Sequence, residues 1–593
     1  MKSLLRVLPW VRPYRGRIAI GLACVVISTA VFSVLPTLLR RAIEAMGAGA
    51  PRSAIYLIAA QMLGATLTMA VFRFYMREIL NGVSRIIEHD LREALFDHLT
   101  RLDTAYYGRT RTGELMARLT NDLGAVRMAV GPAIMYLTNT VFGGLFALSF
   151  MIAISGRLTL IAVTPMILLP VITLTLGKII HDRFEQVQAR FGDITTLVQE
   201  HLSGLRIIRA YRQEGAEQRR FDELSADYLE RNLRLVRMNG LMNPSFMFFA
   251  GLGAAAVLGF GGAAVVEGTI TVGAFVAFGL YLANLTWPLI ALGWVTSLFQ
   301  RGAASMTRLL AILDAEPVIR DPEPPRVAAE LPPTAGGRGL TLDRVSFAYP
   351  NKEGDEPRTV LHDISVTIPA GGTLGIVGAT GSGKSTLLEL IPRLADVSGG
   401  RILLDGVDIR DLPLSVLRQE IGFVPQESLL FSETLTTNLS YGTSHEPDAK
   451  WAAGIAQLTE TIEGFPGGWE TMLGERGINL SGGQKQRAAL ARALARRPSV
   501  VILDDALSAV DTHTEAAILR GLRDALAGRT AIIASHRITA IRDASWILVL
   551  DDGRVVEQGR HADLLAAKGR YFTLLRRQQL EEEIEQEPVV VRE

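Results

Sequence analysis

The residues Gly378, Ala379, Thr380, Gly381, Ser382, Gly383, Lys384 and Ser385 have the G-x-x-x-x-G-K-S spacing of a phosphate-binding loop, with Thr386 next in line. The apolar run TLGIVG precedes them and TLLELIPRL follows, so the motif sits between a strand and a helix. Glycines let backbone N–H groups turn inward on phosphates, and a helix N-terminus adds partial positive charge. Lys384 is placed to reach the β and γ phosphates of ATP and Ser385 to ligate Mg²⁺.

A second acidic motif follows, VVILDDALSAVD. In P-loop hydrolases a buried strand ending in Asp holds Mg²⁺, here Asp504, and the next residue orients the attacking water. That next residue is Asp505. A third stretch, LSGGQ, carries Ser481, Gly482, Gly483 and Gln484. It has two readings: an N-cap turn opening an amphipathic helix, or a second nest of hydroxyl and amide donors for phosphate.

These motifs need elements to carry them. The chain has 593 residues, 49% hydrophobic and only 20% charged, below the roughly 25% charge of soluble domains. Six stretches near 18–39, 53–72, 128–156, 158–177, 246–266 and 270–300 contain no Asp, Glu, Lys or Arg. Each is long enough to cross a bilayer, which takes about 20 residues. Basic residues crowd 73–127 and 178–240, which puts both connections, the N-terminus and everything after 300 in the cytoplasm. Arg40, Arg41 and Arg52 run against that bias. The stretch RIIEHDLREALFDHLTRL keeps helical spacing, so the membrane helices are expected to continue into the cytoplasm. Residues 1–316 form the expected membrane domain, 317–337 a Pro-rich linker, 338–575 an α/β nucleotide domain and 576–593 a C-terminal tail whose stretch EEEIEQEPVVVRE is expected to be a frayed end. A net charge of +1 gives no reason to expect nucleic acid, and one cysteine, Cys24, excludes disulfides and Cys-based metal sites. Only seven of the 61 basic residues are lysine, a composition that points to a GC-rich bacterial genome.

In this order and spacing, GATGSGKS, VPQ, LSGGQ, VILDD, SAVD and ASHR resemble the nucleotide-binding domain of an ATP-binding-cassette (ABC) transporter. The upstream region resembles the membrane domain of the six-helix exporter class. YYGRTRTGELMARLTND and EHLSGLRIIRAYRQE resemble its two cytoplasmic coupling segments. The resemblance implies an α-helical polytopic membrane domain of six transmembrane helices with long cytoplasmic extensions, fused to an α/β P-loop nucleotide-binding domain. It implies that Tyr349 stacks on adenine and that Gln426 touches Mg²⁺ near the membrane domain. It implies too that His536 contacts γ-phosphate, and that Asp511 and Glu475 communicate between paired domains. It further implies that Ser481 to Gln484 act on ATP held by a partner, so the chain is half a transporter.

At the position where the family has glutamate, Asp505 is one methylene, about 1.5 Å, short. A 1 Å misplacement costs on the order of 10²-fold in rate, so the expected site retains ATP and hydrolyses it slowly. The intact LSGGQ can complete a competent site with a partner's P-loop and glutamate, and DDALSAVD resembles the degenerate-site subunits of heterodimeric bacterial multidrug exporters. The alternative is a homodimer, or lipid flippase, in which Asp505 still acts; the intact His536 fits it. A further alternative is an ATP-gated channel. The expected cargo is an amphiphilic drug or lipid, with peptides or siderophores next, and FMFFAG, Tyr136, Phe142, Phe146, Trp287 and Trp294 are candidates to line its path. The expected location is the bacterial inner membrane, with the nucleotide domain cytoplasmic.

Overall fold

The computed structural model describes residues 2–321, 331, 334, 336–349, 358–443, 445–474, 477 and 479–586. They form two compact units, Met1–Arg101 with Arg111–Ala315, and Leu102–Thr110 with Glu316–Glu593.

The first unit holds six stretches of helix long and apolar enough to cross a membrane, as the hydropathy pattern predicts. Their main helices are α1 (Arg15–Gly47), α2 (Arg52–Arg101), α4 (Pro132–Ile154), α5 (Leu168–Ser203), α7 (Glu214–Ala256) and α8 (Val272–Leu313). At 1.5 Å per residue, α2 is about 75 Å long against a hydrocarbon core of about 30 Å. It therefore projects well beyond the bilayer. Small residues allow close helix approach, as expected where lipid supplies no hydrophobic drive: a Cβ on Gly293 would lie 2.4 Å from Thr173 Cγ2. Phe150 stacks on Tyr281 at 5.2 Å, and the buried Tyr281 hydroxyl donates to the Ser33 carbonyl at 2.8 Å.

Beyond the apolar spans, ionic contacts take over. Glu88 joins Arg85, Arg92 and Arg127. Asp122, in a π-helical turn at Arg118–Asp122, accepts from Ser305 at 2.8 Å and from Arg308 Nε at 2.8 Å, both on α8. Arg6 bonds Asp314 through two N–H groups, at 2.6 and 2.8 Å. A helix from the second coupling segment, α6 (Leu205–Ala210), lies between α5 and α7.

The second unit is α/β. Strands β1 (Leu340–Tyr349), β2 (Arg358–Ile368), β4 (Gly399–Leu404) and β5 (Val407–Asp408) make an antiparallel sheet ordered β2-β1-β4-β5. A six-stranded sheet is ordered β10-β9-β3-β8-β7-β6, from β3 (Thr373–Gly378), β6 (Ile421–Val424), β7 (Val500–Asp504), β8 (Thr530–Ala534), β9 (Trp546–Asp551) and β10 (Arg554–Gly559). All its pairings are parallel except β10 with β9. Parallel strands buried on both faces read as continuous apolar runs, and VVIL in the wholly buried β7 is one. Among its helices are α9 (Lys384–Leu390), α10 (Gly482–Ala495), α11 (Thr512–Ala525) and α12 (Arg570–Gln586).

Two boundaries differ from the sequence reading. The first coupling segment contributes α3 (Thr104–Arg109), capped by Asp103, and residues Leu102–Thr110 belong to the second unit. Thr104 Oγ1 donates to the Leu394 carbonyl at 2.9 Å, a tie to chain 290 positions away that local periodicity does not reveal. The start of the expected tail, residue 576, falls inside α12. That helix is held because Tyr571 is fully buried, with Leu574 and Leu575 packed beside it. Most of the Pro-rich stretch 317–337 lies outside the described residues.

Candidate functional site

Sheet order decides which motifs meet. β3 ends at Gly378, β8 at Ala534 and β7 at Asp504, three neighbouring parallel strands pointing the same way. Ligands in such sheets bind outside the carboxyl ends of the strands. A cleft of about 150 Å³ opens there. Thr380, Gly381, Gly383, Lys384, Ser385 and Thr386 line one side, and Gln426, Asp504, Asp505 and His536 the other.

The loop itself needs glycine. Gly381 and Gly383 have φ of +82° and +98°, and a Cβ on Gly378 would lie 2.2 Å from the Leu550 carbonyl oxygen. Lys384 is buried and its ammonium donates to the carbonyls of Gly378 at 2.8 Å and Ala379 at 2.9 Å. Burial pulls its pKa down, against the opposing pull of the Asp505 and Asp504 carboxylates. Burial raises the pKa of Asp504, partly offset by its hydrogen bond with Ser385. That hydroxyl and carboxylate are hard oxygen donors, and Mg²⁺ is held by one or two carboxylates together with substrate phosphates. The pair fits Mg²⁺.

Asp505 has φ of 47°, in the left-handed region. Its N–H donates to the Ala534 carbonyl at 2.9 Å, and its Oδ1 accepts weakly from the His536 N–H at 3.5 Å. Tyr349 ends β1 at the rim of the cleft, its hydroxyl 3.0 Å from Thr386 Oγ1.

The remaining predicted residues lie elsewhere. Ser481 caps α10: its Oγ accepts from the Gln484 N–H at 3.3 Å, and the Ser481 N–H donates to Gln484 Oε1 at 2.8 Å. Ser481, Gly482, Gly483 and Gln484 do not line the cleft of their own chain. Asp511 caps α11, and its bonds from Thr514 hold its pKa below the usual carboxylate range. Glu475 lies outside the described residues.

One contributor escaped the motif reading. The buried Gln486 donates to Ser508 Oγ at 2.9 Å and the Asp505 carbonyl at 3.4 Å, and accepts from the Ala509 N–H at 2.9 Å. It ties α10 to the loop after Asp505. A glutamine three, four and seven residues before Ala489, Leu490 and Ala493, on the apolar face of an Ala/Leu helix, was the signal available.

Six membrane-spanning helices followed by a P-loop α/β unit define an ATP-driven membrane transporter. Residues 18–289 match the ABC transporter transmembrane region and residues 361–508 the ABC transporter family. The chain is 38% identical to the probable multidrug resistance ABC transporter ATP-binding/permease protein YheI of Bacillus subtilis (strain 168), over 98% of each chain. It is 34% identical to the ATP-dependent lipid A-core flippase of Syntrophus aciditrophicus (strain SB), over 98% of this chain and 95% of the other. Its fold matches a bacterial Atm1-family ABC exporter with ATP bound at a TM-score of 0.76 and 28% identity, covering 95% and 98% of the two chains. The chain belongs to the ABC transporter family: it is an exporter half-transporter, a multi-pass membrane protein whose ATPase activity is coupled to transport.

Proposed function

We propose that the protein is one subunit of a heterodimeric bacterial exporter of amphiphilic drugs or lipids, and that its own ATP site binds nucleotide firmly but hydrolyses it slowly. The observation that carries this reading is the side chain at position 505. A general base must come within about 2.6–3.2 Å of the proton it takes, and aspartate starts one methylene further back than the family's glutamate. Tyr349 stacks on adenine, the loop from Gly378 to Thr386 wraps the phosphates, and Lys384 balances their charge. Mg²⁺, when bound, neutralises charge on the β and γ phosphates, and Ser385, Asp504 and Gln426 hold it. His536 steadies the γ-phosphate. Ser481 to Gln484 close over the ATP of the partner, where a glutamate does the hydrolysis, and Asp511 and Glu475 pass the state of one site to the other.

The cargo assignment draws on the relatives named for multidrug resistance and lipid A-core flipping. It also draws on aromatic side chains in the spans: Tyr136 of α4 meets Trp294 of α8 at 4.9 Å, and Trp287 and Phe248 are exposed. The arginine-rich connections support a cytoplasmic nucleotide unit and a location in the bacterial inner membrane.

The test is direct. The chain purified alone binds ATP and turns it over poorly, and co-expression with a glutamate-bearing half-transporter restores activity. Asp505→Glu raises turnover of the isolated chain. Vigorous, symmetric hydrolysis by the unaltered homodimer would overturn the proposal. It would favour a homodimeric exporter or flippase in which Asp505 is the base, the reading supported by the proximity of His536 to Asp505.

A further inference from the structure

The loop after β8 carries Ser535, His536, Arg537 and Ile538, and a short 3₁₀ turn begins only at Ile538. Its backbone is therefore held mainly by outside partners. The Ser535 N–H donates to the Ile376 carbonyl at 3.1 Å and the Arg537 N–H to Ser535 Oγ at 3.0 Å. The Arg537 guanidinium pairs with Glu515, a buried carboxylate on α11.

Two further backbone groups are taken by one side chain from the C-terminal helix. Gln578 Nε2 donates to the His536 carbonyl, and the Ile538 N–H donates to Gln578 Oε1 at 3.0 Å. A carboxamide offers a donor and an acceptor side by side that can span two backbone groups in this way. The bridge brackets His536 and Arg537 as a neighbouring strand would.

Its base is firm. Tyr571, Ile538, Ile541, Val549 and Val377 share one buried cluster, with Leu574 and Leu575 against it. The Tyr571 N–H donates to Glu557 Oε2 at 3.0 Å. Through that packing the position of α12 becomes the position of the His536 backbone.

We propose that Gln578 is a positioning residue for His536, so that α12 sets the slow rate of ATP hydrolysis at this chain's own site without touching nucleotide. The proposal rests on the reading above that His536 contacts γ-phosphate. Small displacements of a reacting group cost steeply: about 1 Å is worth on the order of 10²-fold in rate. Loss of the bridge acts on turnover and leaves nucleotide binding by the P-loop and Tyr349 unchanged.

The experiment is a double-mutant cycle on the full-length chain in lipid nanodiscs, measuring kcat and KM for ATP together with the melting midpoint. Gln578→Met keeps the length and apolar packing of the side chain and removes both hydrogen bonds. The expected result is a kcat lower by about tenfold, with KM and melting midpoint unchanged and no further loss when Gln578→Met is added to His536→Ala. Gln578→Glu keeps the acceptor for Ile538 but turns a carboxylate oxygen on the His536 carbonyl, and lowers kcat at least as far as Gln578→Met. That variant carries the test if Gln578→Met does not fold. An unchanged kcat in the Gln578 variants, beside a slowed His536→Ala, overturns the inference alone. So does an equal Gln578 effect with and without His536. A His536→Ala variant as fast as wild type overturns the reading of His536 as well.

Discussion

Asp505 occupies backbone that few side chains accept, at φ of 47°. Aspartate and asparagine visit this region more readily than longer residues, for which it costs about 1–2 kcal/mol. Asp505→Glu, the change expected to speed hydrolysis, therefore also lowers the melting midpoint. Its neighbour shows the opposite exchange. Asp504 is 3% exposed and burial raises its pKa above the usual 3.8. A carboxyl whose folded pKa is raised favours the fold at pH below its unfolded value, and that contribution is lost as pH rises through the folded value. Its ionised form is a liability that the Ser385 hydroxyl and the Lys384 ammonium relieve only in part. Asp504→Asn should raise the melting midpoint of the nucleotide-free protein and abolish hydrolysis, which calorimetry and phosphate release check together.

At the scale of elements, an ionic tie joins the start of β1 to the edge of β6. Arg338 is 3% exposed and bonds Glu420 at 2.9 Å and Asp405 at 2.9 Å. The hydrogen bond from Arg338 holds the Glu420 pKa below its ordinary 4.5. For a lowered carboxyl, the contribution is present above the unfolded value and disappears as pH falls through the folded one. Acidification below about pH 4.5 should thus lower the melting midpoint, and Arg338→Met should flatten that dependence while costing about 3 kcal/mol at neutral pH. The sequence exposed elements unevenly for physical reasons. Uncharged runs of membrane length and the spacing of Gly378 to Ser385 are local signals, so the spans, the P-loop strand and the buried β7 were readable. Ser481 showed its capping chemistry because donor and acceptor are three residues apart. Gln578 meets His536 across 42 positions and Thr104 meets Leu394 across 290. No local periodicity encodes such partners. The charged run after 580 also hid that α12, anchored by Tyr571, continues through residue 576 to Gln586.

The whole molecule divides so that residues Leu102–Thr110, from the membrane half of the sequence, fold with the nucleotide unit. Inside that unit Asp103 Oδ2 also accepts from the Val318 N–H at 3.3 Å. Thr104→Val keeps the shape of the side chain and removes its bond to Leu394. The variant should retain ATP affinity and basal hydrolysis while losing stimulation of hydrolysis by transported compounds, measured in nanodiscs with and without cargo. The reason lies in α9. Its first residue, Lys384, faces the cleft, its last is Leu390, and the carbonyl that receives Thr104 comes four residues later. Arg393 fastens that exit to Asp396 at 2.7 Å, and Arg418 grips the carbonyls of Pro392 and Arg393. A braced column of two helical turns leaves no slack loop in which a displacement at its phosphate end can dissipate. A displacement at the phosphate end of α9 is therefore expected to reach the carbonyl that holds Thr104.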